Sequence, residues 1–191
     1  VVKHTFNRVS VDGDTSVCDM VVIMANGMSD NPPIINEGED YNSFKSALNL
    51  VCTELAKLIA KDGEGATKLI EVNVEGAVTE EDAYKVVSAI AKSPLVKTAI
   101  FGEDANWGRI ITAAGYSGAS FNPEKVDIYL GNLMVCKNGC AVAFDENEAK
   151  KILSEKEIVI SLKLKQGVYS DRMWTCDFSY DYVKINGSYR T

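Results

Sequence analysis

Apolar residues recur at helical spacing from about Asp40 to Lys61, where Phe44, Ala47, Leu48, Val51, Leu55, Leu58 and Ile59 fall on one stripe. Gly63 follows the last turn, as a helix stop should. Thr67–Val74 alternates in part and predicts a strand. Thr79 then caps a second helix, with Asp82 at the capping-box position and Ala83, Val86, Val87, Ile90 and Ala91 facing inward. Pro94 is expected to end that helix, and Leu95–Phe101 reads as the next strand. A short helix is expected over Asn106–Ala114, strands over Val126–Leu130 and Leu133–Val135, and an amphipathic helix over Asp145–Leu153. Glu157–Leu164 alternates with Ile158, Ile160 and Leu162 on one face, and Met173–Ile185 reads as a long alternating strand. Before the first long helix, Val1–Phe6 resembles a helix tail, and Asn7–Asp19 is rich in turn formers. Met20–Ala25 is a continuous apolar run expected to be a buried strand, followed by a surface loop at Ser29–Gly38. Strands and helices mix without strict βα alternation, so the expected fold is a layered α/β (mixed α+β) sandwich and not a Rossmann fold.

Composition narrows the function classes. The chain has 191 residues, 46% of them hydrophobic, and is expected to form a single unit, 1–191, with a substantial core. Its net charge is −7 and no basic cluster exceeds two residues, which argues against nucleic-acid binding. The apolar runs are too short to span a bilayer, and the start lacks the features of a signal peptide. Cys18, Cys52, Cys136, Cys140 and Cys176 are an odd, scattered set, which points to reduced thiols and a cytoplasmic location.

The only histidine is His4, so a zinc site would lack ligands and a serine-type triad would depend on one residue in the expected helix tail. Asp12, Asp14 and Asp19 have no glutamate at the offset of a calcium loop and are read as turn residues. No complete phosphate-binding glycine motif occurs. Three sets of recognition groups remain. Glu64, between Gly63 and Gly65, sits where the backbone can bend sharply and bring a carboxylate to an ammonium group; a solvated turn glutamate is the plain alternative. Asn106, Trp107 and Arg109 form a second set, with Trp107 read as structural and Arg109 left open. Asn186 and Thr191 close the chain, and an amide and a hydroxyl there suit an amino-acid backbone.

Taken in order, several segments resemble the C-terminal (β) chain of the bifunctional ornithine acetyltransferase family, also called glutamate N-acetyltransferase. They are Thr5-Phe6-Asn7-Arg8-Val9-Ser10-Val11-Asp12-Gly13-Asp14-Thr15-Ser16, the Glu64 turn, Lys92-Ser93-Pro94-Leu95-Val96-Lys97-Thr98-Ala99, Asn106-Trp107-Gly108-Arg109 and Tyr182-Val183-Lys184-Ile185-Asn186. The resemblance covers essentially the whole chain. It implies a sandwich of the self-processing ornithine acetyltransferase or DmpA-like type. It also implies a precursor that cuts itself before a threonine, whose hydroxyl takes acetyl from N-acetylornithine and passes it to glutamate in a ping-pong reaction. Some members also accept acetyl-CoA as donor, and no other cofactor is implied.

The same resemblance implies that Glu64, Asn186 and Thr191 bind substrate, that an α chain supplies an oxyanion hole, and that the assembly is α2β2. The cleavage segment is absent from this sequence, and Thr5 lies inside the Thr-Phe-Asn-Arg hallmark. No catalytic residue is therefore expected in this chain. The nucleophilic threonine is expected upstream of residue 1, in a missing first part of the β chain, and the isolated chain is expected to be inactive. Two alternatives stay open: a related self-processing amidase or aminopeptidase, and a non-catalytic amino-acid-binding subunit.

Overall fold

The computed structural model describes residues 1–16 and 18–188. Its centre is one six-stranded mixed sheet. The strands are β1 (Leu69–Ala77), β2 (Asp127–Leu130), β3 (Leu133–Lys137), β4 (Cys140–Ala141), β5 (Glu157–Lys163) and β6 (Tyr169–Cys176), in the order β4-β3-β2-β5-β1-β6. Only β1 and β5 pair in parallel; every other neighbouring pair is antiparallel. This excludes the doubly wound arrangement and gives the expected mixed α/β fold.

The alternation of β1 divides the core. Ile70, Val72 and Val74 face the same side as Ile158, Ile160 and Leu162 of β5, and this apolar surface is covered by α2 (Glu80–Lys92) and α4 (Trp107–Gly115). All five residues expected to point inward from α2 are buried. Its cap also forms as the sequence predicts: Thr79 Oγ1 accepts from Asp82 N at 3.0 Å. A smaller cluster on the opposite face joins Leu69 and Trp174 to Ala56 and Ala60 of α1 (Glu39–Lys61).

The first residues are pinned to the outer edge of β6. They form two short 3₁₀ turns, Val2–His4 and Phe6–Arg8, instead of the tail of an α-helix. Arg8 and Asp171 make a buried ion pair, with Nη2 2.8 Å from Oδ2 and Nε within 3.0 Å of both carboxylate oxygens. The guanidinium lies 4.3 Å over the Tyr84 ring. Ser10 N donates to Trp174 O at 3.0 Å, which extends the sheet by one bridge.

Four further expectations need correction. Leu95–Phe101 is not a strand but part of α3 (Pro94–Phe101). Pro94 occupies the first helical turn, where its missing N–H costs nothing, and the Ser93 hydroxyl accepts from Val96 N at 3.4 Å. Met173–Ile185 is not one strand: β6 ends at Cys176, and the helix that follows α5 (Glu146–Leu153) in chain order, α6, spans Tyr180–Ser188. The switch occurs at Asp177, whose carboxylate turns back onto the start of β1. Met20–Ala25 forms no strand and is not buried, because no described strand lies beside it. The apolar stripe of α1 points outward as well. Phe44, Val51, Leu55, Leu58 and Ile59 are exposed, whereas Cys52, Thr53, Ala56 and Ala60 face the sheet. Met20, Val21 and Val22 line a groove with Leu55, Leu58 and Ile59.

Candidate functional site

Two of the predicted recognition groups meet at one corner of the sheet. After α1 the chain turns through Gly63–Ala66, closed by Ala66 N donating to Gly63 O at 2.9 Å, and this turn presents the exposed Glu64. Gly65 adopts φ +67°, the left-handed region that glycine enters without penalty. A Cβ there would run into the backbone nitrogen of Tyr182 and lie 2.8 Å from the carbonyl carbon of Asp181. Gly63 is confined similarly, since its Cβ would lie 2.9 Å from Cys176 Sγ. Gly65 therefore lets α6 press directly on the Glu64 turn, and Gly63 lets the end of β6 and Val11 close on it.

The corner is braced from the β6 side. Asp177, fully buried, accepts from Thr67 N at 2.7 Å, Lys68 N at 2.8 Å and Thr67 Oγ1 at 2.5 Å. Ser179 Oγ donates to Gly65 O at 2.5 Å and accepts from Asp181 N at 3.1 Å, joining the turn to the start of α6. One helical turn beyond Tyr182, Asn186 Nδ2 donates to Glu64 Oε2 at 2.6 Å and to Tyr182 O at 3.1 Å. Tyr182 stacks on Phe178 with ring centroids 4.5 Å apart, and its hydroxyl donates to Asp12 Oδ2 at 3.0 Å. Burial pushes the Tyr182 phenol pKa up, helped by the hydrogen bond to Asp12 and the negative charges of Asp12, Asp14 and Glu64. This is an acidic, amide-bearing rim suited to a cationic amino-acid group.

The structure thus brings Glu64 and Asn186 into contact, while Thr191 lies outside the described residues. Thr5 is elsewhere: it is buried, and its hydroxyl donates to Val1 O at 3.2 Å. His4 is exposed in the first turn of the chain. The Asn106 set serves the scaffold. Asn106 Oδ1 caps α4 by accepting from Arg109 N at 3.1 Å, and Trp107 packs against the main core. Arg109 Nη1 donates to Leu95 O at 2.9 Å, tying α4 to α3. Asn106→Ala is expected to lower stability by about 1 kcal/mol and Asn106→Ser to recover most of that, as read by urea denaturation.

Sequence reasoning missed Asp177, Lys97 and the Phe178–Tyr182 stack. Lys97 carried a usable signal: a lysine embedded in the apolar run Leu95–Phe101. Asp177 carried none, because its partners are more than one hundred residues away.

The chain matches the ArgJ family model over residues 1–191. It is 58% identical over 194 residues to the arginine biosynthesis bifunctional protein ArgJ of Caldanaerobacter subterraneus subsp. tengcongensis, covering 100% of this chain and 48% of that protein. It is 53% identical to the protein of the same name from Bacillus cereus, covering 100% of this chain and 47% of that one. The chain therefore spans about half the length of these relatives. A crystal structure of arginine biosynthesis bifunctional protein argJ from Bacillus halodurans superposes with a TM-score of 0.95 at 49% identity, over 98% of this chain and 89% of that chain.

Proposed function

Because this chain belongs to the ArgJ family, we propose that it is the C-terminal (β) part of an enzyme that moves an acetyl group from N-acetylornithine to glutamate. The observation that carries this reading is the Glu64–Asn186 contact, which joins a turn carboxylate and a helix amide into one polar rim. In the proposed reaction, a threonine hydroxyl upstream of residue 1 attacks the acetyl carbonyl of N-acetylornithine. Ornithine leaves with its amine protonated, and an acetyl-threonine ester remains. The amine of glutamate then attacks the ester and restores the hydroxyl. The threonine's own α-amine acts as the base, so the route needs no histidine. Acetyl-CoA is an alternative donor in the same scheme.

Within this division of labour, Glu64 faces a substrate ammonium and Asn186, with Thr191, holds the amino-acid end. The partner α chain supplies the oxyanion hole. The exposed α1 stripe and Met20–Ala25 support a partner, since an apolar surface of this continuity is normally covered in an assembly. An α2β2 assembly in the cytoplasm, and inactivity of this chain on its own, belong to the same proposal.

The test uses the whole protein, with both halves expressed together, incubated briefly with N-acetylornithine and examined by intact-mass and peptide spectrometry. Acetyl mass on a threonine peptide of a companion chain is the expected result. Adding glutamate is then expected to discharge it as N-acetylglutamate. Discharge only to acetate, at a rate independent of glutamate, would make the protein an amidase instead. A persistently unacetylated protein would overturn the acyl-threonine route.

A further inference from the structure

Lys97 is fully buried although it carries an ammonium group, and burying such a charge costs several kcal/mol unless its donors are satisfied. An apolar side chain of similar length would fill the space without that cost. All of the described hydrogen bonds and the ring contact of its side chain go to one place, the corner where β6 gives way to α6. Nζ donates to Thr175 Oγ1 at 2.7 Å and to the Cys176 carbonyl, and lies 3.7 Å from Cys176 Sγ. It also sits 4.5 Å over the Phe178 ring. The backbone repeats the grip, with Phe178 N donating to Lys97 O at 3.3 Å. Lys97 therefore holds the chain on both sides of Asp177.

That corner is the common root of both halves of the rim. Through Asp177 it fixes Thr67 and Lys68, directly after the Glu64 turn. Through the Phe178–Tyr182 stack it fixes the first turn of α6, and Tyr182 O in turn receives the Asn186 amide. We infer that Lys97 is a positioning residue for substrate binding, setting the placement of Asn186 against Glu64 through the β6–α6 corner. This rests on the acetyltransferase reading above for its kinetic consequence, but not for its structural one. Burial lowers the pKa of the Lys97 ammonium, and Cys176, Asp177 and Asp12 oppose that by favouring its charge.

The experiment compares Lys97→Met, Asn186→Ala and the double variant in the whole enzyme. Lys97→Met is expected to raise KM for N-acetylornithine roughly ten- to hundredfold with little change in kcat, because a displaced binding group weakens recognition. In the Asn186→Ala background the same substitution is expected to add almost nothing, since both changes act on one contact. Hydrogen exchange is expected to quicken in 180–188 and not in α2. If Lys97→Met does not fold, Phe178→Leu keeps the lysine and removes the ring it faces; it is expected to give the same KM shift and the same non-additivity. Full additivity with Asn186→Ala, or an unchanged KM in an active enzyme, would overturn the inference alone. A wild-type enzyme without acetyl transfer would overturn the functional reading, and unaltered exchange in 180–188 would then decide against Lys97 separately.

Discussion

Gly65→Ala is expected to lower stability by roughly 2–5 kcal/mol and to abolish detectable acetyl transfer. Two costs combine. A side chain at φ +67° is strained wherever it is placed. The added methyl would also strike the backbone of Tyr182 and Asp181, which cannot rotate aside as a flexible side-chain tip could. Relief requires α6 to retreat from the turn, and that separates Asn186 from Glu64. Urea denaturation measures the first effect and initial rates the second. An alanine variant with wild-type stability would mean that α6 does not need this close approach.

Glu64→Gln is expected to raise KM for N-acetylornithine roughly 30- to 1000-fold while leaving the melting temperature nearly unchanged. The amide oxygen of glutamine can still accept from Asn186 Nδ2, so the local geometry survives and only the charge is removed. Glu64 is exposed, and no packing is lost. Calorimetric titration with N-acetylornithine checks the prediction independently of turnover. Unchanged affinity would remove Glu64 from ammonium recognition.

The sequence was most legible where local chemistry decides structure. The Thr79 cap, the short helix beginning near Asn106 and the alternation of Ile158, Ile160 and Leu162 depend on neighbours a few residues away. Leu95–Phe101 misled because a short, mostly apolar segment suits a strand or a helix equally; Ser93-Pro94 was the start signal that distinguishes them. Met173–Ile185 misled because its alternation continues by composition past Asp177, where long-range hydrogen bonds end the ladder. The α1 stripe and Met20–Ala25 misled for another reason. A hydrophobic pattern states that a surface avoids water, not which chain covers it. The family motifs placed Glu64 and Asn186 on the page before their contact could be known, whereas the Lys97 corner required the fold.

The outward apolar face of α1 also bears on synthesis. Two separate chains carrying complementary sticky faces would meet each other no faster than they met copies of themselves. If the halves leave the ribosome on one polypeptide, as the family resemblance implies, the effective concentration of one beside the other is on the order of millimolar. Internal pairing then outruns self-association, each copy receives one complement, and the link is expendable once the faces have closed. Delayed self-cleavage would in that case protect the cell from orphan halves, and a strain making the two parts from separate genes should accumulate this chain as aggregate.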